Sequence, residues 1–165
     1  MQNKTFYNEI LTEHNRNPYH KHPLKVVDLM LEGVNPSCGD DILLNLKMNG
    51  DVIEDASFQG DGCAISQASA DMMSDLMVDK TPQEAIELCR LFGRMVRGEE
   101  TDDSKLAALD EAASLKDVSH MPARVKCAEL AWRTLEEMLQ NGSDKPGSTA
   151  TASCVMPPHT HDGQE

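Results

Sequence analysis

Ile42, Leu44, Leu46 and Met48 stand two residues apart, Asn49-Gly50-Asp51 interrupts the run, and an apolar-rich stretch resumes from Val52 to Phe58. No other feature restricts the fold so tightly. Period-two spacing buries one face of a strand, and Asn-Gly tolerates the left-handed dihedrals of a tight hairpin turn. Val26 to Val34 is a third strand candidate, joined to the hairpin by Asn35-Pro36-Ser37-Cys38-Gly39. Two short connections between three strands predict a small antiparallel meander.

After Cys63 the apolar spacing changes. Ile65, Ala68, Met72 and Leu76 mark a helix face that ends near Asp79. Thr81-Pro82-Gln83-Glu84 then offers an N-cap, a proline at the first helical position and a capping-box glutamate. That helix is expected to run to about Arg97 and stop at Gly98. A third begins near Asp103 or Ser104 and fades by Leu115, and Pro122 opens a last helix ending at Asn141-Gly142. A short helix over residues 3–15 precedes the sheet. The expected class is α+β, a small three-stranded antiparallel sheet with helices packed on it. Residues 1–142 make one domain, and the polar, Gly-, Pro-, Ser- and Thr-rich residues 143–165 are expected to be a disordered tail.

Charge and leader signals exclude several roles. Fifteen Lys and Arg stand against 28 Asp and Glu, a net charge of −13 in 165 residues. Nucleic-acid binding draws on cationic side chains that displace counterions, so no nucleic-acid partner is expected. No apolar stretch approaches the length that spans a bilayer, and Met1-Gln2-Asn3-Lys4-Thr5 opens no signal-peptide segment. The expectation is a cytoplasmic protein without a membrane partner, its thiols reduced. Five cysteines, an odd number, also suit a disulfide framework poorly.

Three of those cysteines have contexts that simple packing would not require. Cys38 sits at a loop tip bounded by Pro36 and Gly39, open to close approach. Cys63 follows Gly60-Asp61-Gly62 at a helix start, where the helix dipole favours thiolate. Cys127 falls close to an apolar helical stripe, which suits packing, yet Arg124 and Lys126 stand nearby and adjacent cations depress a thiol pKa. Asp40 is either a turn residue accepting backbone N–H bonds or a fourth ligand beside Cys38. Together the four would suffice for one tetrahedral metal ion.

The remaining candidates read as ordinary. Cys89, between Ile86 and Phe92, suits a core, and Met72, Met73 and Met77 suit adaptable packing. His20 and His22 read as a solvated loop pair, and His120 as a capping or solvated residue. Cys154, His159 and His161 lie in the tail. The gaps from 38 to 63 to 127 exclude zinc fingers and ribbons, which use close ligand pairs.

Asn35-Pro36-Ser37-Cys38-Gly39-Asp40, Gly60-Asp61-Gly62-Cys63-Ala64-Ile65-Ser66 and Pro122-Ala123-Arg124-Val125-Lys126-Cys127-Ala128 resemble motifs of the IscU/NifU-N superfamily of iron–sulfur assembly proteins, across nearly all of residues 3–141. Within it the chain resembles the SufU branch. Scaffolds of the IscU type carry a histidine before the last cysteine and a Leu-Pro-Pro-Val-Lys segment. This chain has Lys126 and Met121-Pro122-Ala123-Arg124 there.

The resemblance implies the SufU/IscU-like fold and zinc held by Cys38, Asp40, Cys63 and Cys127. It also implies sulfur transfer to Cys38 from a SufS-type, PLP-dependent cysteine desulfurase, with Arg124 at a basic position important to that partnership. The alternative implied by the wider superfamily is a scaffold on which an iron–sulfur cluster is assembled.

Overall fold

The computed structural model describes residues 9–142 and the strand at residues 151–155. The chain runs through helix α1 (Glu9–Arg16) and strands β1 (Leu29–Asn35), β2 (Asp40–Asn49) and β3 (Val52–Asp61). Helices α2 (Ala64–Met77), α3 (Pro82–Val96) and short α4 (Asp103–Leu106) follow, then a 3₁₀ segment (Ala107–His120), α5 (Pro122–Gly142) and β4 (Thr151–Val155). Among the described residues, no helix is long and apolar enough to cross a membrane.

The meander forms as the spacing predicts. Strands β1 and β2 pair antiparallel from Leu29↔Leu46 to Asn35↔Asp40, and β2 pairs antiparallel with β3 up to Asn49↔Val52. Gly50, at φ 63°, takes the left-handed position of the second turn. Ile42, Leu44 and Leu46 are fully buried, as are Ile53, Ala56 and Phe58 on β3.

Two departures concern the sheet edges. Residues 151–155 were expected within a disordered tail; their backbone instead forms β4, parallel to β1, giving the order β3-β2-β1-β4. An unpaired edge strand offers a row of open N–H and C=O groups, and β-branched Thr151 and Val155 suit extended backbone. His159, His161 and the other tail residues lie outside the described residues.

At the far edge, the His20 carbonyl accepts from Phe58 N–H at 2.9 Å, and a bridge joins Lys21 to Phe58. His20 is therefore not a solvated loop residue. Its Nδ1 lies 3.1 Å from the Ala56 carbonyl oxygen and its Nε2 3.2 Å from Asp75 Oδ1. His22 stays exposed, with Nδ1 2.9 Å from the Pro23 carbonyl oxygen.

Helix α2 is buried on nearly all sides and packs between sheet and outer helices. Its buried polar residues Ser66, Ser69, Asp71 and Ser74 each have hydrogen-bond partners, as burial requires. Ser69 Oγ donates to the Ala128 carbonyl at 2.7 Å and accepts from Trp132 Nε1 at 2.8 Å, which sets the position of α5 against α2. Phe92 of α3 stacks on Trp132 with ring centroids 4.0 Å apart. Cys89, Met72, Met73 and Met77 are buried in this core. The Thr81–Glu84 capping box forms at the start of α3, and Gly98, at φ 78°, follows its end.

The third predicted helix is only one turn of α-helix. Beyond it Leu109, Ala112, Leu115 and Val118 are buried, continuing from Leu106 at intervals of three. Side chains three apart eclipse in a 3₁₀ helix, so this stripe selects three residues per turn over 3.6. Asp110 breaks the segment at φ 52°.

His14 of α1, which no sequence pattern marks, is buried between two carboxylates. Its Nδ1 is 2.6 Å from Asp71 Oδ2 on α2, and its Nε2 is 2.6 Å from Glu111 Oε1 on the 3₁₀ segment. Burial pulls the imidazole pKa down, but its bonds to Asp71 and Glu111 outweigh this, leaving it above the ordinary 6.5. A raised folded-state value stabilises the fold fully below the unfolded value and loses that contribution as pH climbs through the folded one. Urea unfolding of the full chain should therefore show this contribution disappearing from pH 6.5 upward. His14→Gln should flatten the dependence in that window; an unchanged slope would remove His14 as its source.

Candidate metal and sulfur site

The site lies where the β1–β2 loop, the start of α2 and the start of α5 meet. Asn35 and Asp40 pair across the hairpin, so Pro36–Gly39 form its loop and Cys38 is presented at the tip, exposed. Cys38 N–H and Gly39 N–H donate to the Asn35 carbonyl at 3.2 and 2.9 Å, and Gly39 takes φ 76°. The buried Asn35 side chain organises the loop. Its Oδ1 accepts from Ser37 N–H at 3.3 Å. Its Nδ2 donates to Asp40 Oδ2 at 3.3 Å and approaches Cys127 Sγ at 3.7 Å.

Asp40 is fully buried. Its Oδ1 accepts from Cys63 N–H at 2.9 Å and from Ser66 Oγ–H at 3.2 Å. A carboxylate with three protein donors is held in position. Gly62 makes this possible, because a Cβ there would overlap Ser66 Oγ and lie 2.9 Å from Asp40 Oδ1.

Cys63 is the N-cap of α2 rather than its first residue, its sulfur accepting from Ser66 N–H at 3.4 Å. Cys127, on α5, is fully buried, and its Sγ lies 3.1 Å from Cys38 Sγ. One ligand atom each from Cys38, Asp40 and Cys127 falls within 4.8 Å of the others. Cys63 is outside that mutual group but adjoins it through its bonds to Cys127 and Asp40.

The thiols divide their acidity unequally. A hydrogen bond from Cys127 lowers the Cys63 pKa most; burial opposes it, the Ser66 N–H assists, and the result is about 6. Cys127 moves the other way, raised first by holding its proton towards Cys63, then by burial and by Cys38. The expectation that Arg124 and Lys126 depress the Cys127 pKa is therefore corrected, whereas the helix start does favour thiolate at Cys63. The buried donor keeps its proton, and the half-exposed sulfur at the helix N-terminus takes the charge. Arg124 does reach the cluster: its contact with Cys127, then the charge on Cys63, holds the guanidinium more firmly protonated. Lys126 is half-buried beside Cys127.

Sequence reasoning overlooked Asn35 and Ser66. Asn before Pro36, and Ser three residues after a capping cysteine, are local signals that would have flagged both.

The description "NifU-like N terminal domain" matches residues 6–128. The zinc-dependent sulfurtransferase SufU of Bacillus subtilis is 42% identical over 136 residues, covering 81% of this chain and 88% of that protein. The iron–sulfur cluster assembly scaffold protein IscU of Streptococcus pyogenes is 38% identical over 138 residues, covering 84% and 85%. A crystal structure described as a putative iron–sulfur cluster assembly scaffold protein for the SUF system, from Fervidobacterium islandicum, aligns with TM-score 0.75 and 36% identity. The alignment covers 81% of this chain and 96% of that one. The NifU-like N-terminal structure from Brucella abortus shares the fold at TM-score 0.76 and 19% identity. With a matched span from the start of the fold to the last cysteine motif, this chain belongs to the NifU-like N-terminal domain family.

Proposed function

We propose that this protein serves iron–sulfur cluster assembly as a zinc-dependent sulfur acceptor, taking a persulfide sulfur onto Cys38 from a PLP-dependent cysteine desulfurase. The observation that carries the reading is the meeting of an exposed thiol, Cys38, with buried Cys127 and Asp40 within 4.8 Å. Soft sulfur and a hard carboxylate oxygen make a donor set suited to zinc, with Cys63 the fourth ligand. Bound there, zinc would keep its thiolates deprotonated at neutral pH without redox chemistry of its own.

The protein's own residues then divide the work. Cys38 thiolate attacks the outer sulfur of the donor persulfide. A new S–S bond forms at Cys38, the donor's S–S bond breaks, and its electron pair leaves on the donor thiolate. The transferred sulfur keeps its proton, so oxidation level is conserved across the pair. Arg124 and Lys126 stabilise thiolate charge beside the loop and offer a cationic contact to the partner.

A cluster scaffold is the second reading, favoured by relatives that carry that name. Lys126 in place of a histidine counts against it. The deciding experiment incubates purified full-length protein with a SufS-type desulfurase and cysteine, then alkylates thiols and weighs the products. One added sulfur on a colourless, zinc-containing protein is expected. Iron and sulfide in a brown protein, with no sulfur gained on Cys38, would replace this reading with the scaffold.

A further inference from the structure

Gln67, in the first turns of α2, is buried to 8% exposure, and neither its Nε2 nor its Oε1 has a hydrogen-bond partner among the described residues. An unpaired buried amide is costly, and near-isosteric methionine would remove the cost. Its surroundings suggest why it is retained. Its backbone N–H donates to the Cys63 carbonyl at 3.0 Å, which places it one residue beyond Ser66 on the turn that faces Asp40. Its Nε2 lies 3.3 Å from the point a Cβ on Gly62 would occupy, and Asp40 Oδ1 lies 2.9 Å from the same point. Gly62 thus leaves a gap into which the Asp40 carboxylate, the Ser66 hydroxyl and the Gln67 amide all converge. Two of them are already bonded to each other.

We propose that Gln67 is a positioning residue for metal binding: its amide donates to the Asp40 carboxylate and holds it as a ligand. Terminal amide torsions are soft, so rotation of the Gln67 amide is the movement that makes the bond. Donors behind a ligand fix its orientation, and losing one typically lowers metal affinity about 10- to 100-fold. The inference rests on the zinc reading given under Proposed function, and it requires no contact between Gln67 and the metal itself.

The test loads full-length protein with one equivalent of zinc and follows its release to an excess of a chromogenic chelator. Gln67→Met should release zinc about tenfold faster or more, while its zinc-free melting temperature equals or exceeds that of the parent. A purely structural glutamine would not produce that combination. Gln67→Glu matches the shape but turns a donor into an acceptor beside Asp40, and should also release faster. It carries the test if the methionine variant does not fold. Release at the parent rate from a folded variant overturns the role of Gln67 while leaving the zinc reading intact. A parent that takes up no zinc overturns both.

Discussion

Replacing Cys38 with alanine is expected to abolish sulfur acceptance while leaving a folded protein. Cys38 sits at the exposed tip of the Pro36–Gly39 loop, and the loop geometry rests on bonds from its backbone N–H and from Gly39 to the Asn35 carbonyl, not on its sulfur. Truncation removes the sulfur that Cys127 Sγ meets at 3.1 Å, so the zinc-free protein should lose about 1 kcal/mol and stay folded. Chemistry should respond very differently. Cys127 is fully buried and Cys63 only half-exposed, so Cys38 is the thiol best placed to reach a persulfide on another protein. In the alkylation assay, desulfurase-treated Cys38→Ala should gain no sulfur, while the zinc-free variant unfolds at a midpoint close to that of the zinc-free parent. Full transfer by the variant would remove the central role from Cys38.

The second large effect is expected at Asp40. Alanine there orphans the buried Cys63 N–H and takes one acceptor each from the Ser66 hydroxyl, which keeps the Cys63 carbonyl at 3.0 Å, and from the Asn35 amide. Such an orphan costs about 1–3 kcal/mol when dry, the two other lost bonds add to it, and water entering the vacated space recovers part of the total. A net loss of about 3 kcal/mol is expected in urea unfolding of the zinc-free protein. Zinc retention should fall by more than about 100-fold, because outer partners alone contribute 10–100-fold and Asp40 is the proposed ligand itself. Asp40→Asn separates the two effects. Its amide oxygen can still accept from Cys63 N–H, so most of the stability should return while zinc retention stays poor. Unchanged zinc content and sulfur acceptance in Asp40→Ala would reduce this residue to a turn former.

These effects concern a site whose parts are encoded locally and assembled globally. The hairpin at Asn49-Gly50-Asp51, the capping box at Thr81 and the switch in apolar period after Cys63 are short-range signals, and each corresponds to the observed element. The 3₁₀ stretch was encoded too, by apolar residues three apart from Leu106 to Val118. The start of a helix at Asp103 obscured it. His14 was not legible, because its partners Asp71 and Glu111 are 57 and 97 residues away and nothing nearby announces a buried imidazole.

By itself the sequence determined the class of fold, the loop that presents Cys38, the helix start that carries Cys63 and the donor types suited to zinc. Those follow from neighbours a few residues apart, where backbone preferences and side-chain period act directly. Only the tertiary structure decided which thiol carries charge and which polar groups surround Asp40. Acidity depends on burial and on partners from other elements: Cys127 donates its proton towards Cys63 across 64 positions of chain, and Gly62 clears the space that admits Ser66 and Gln67.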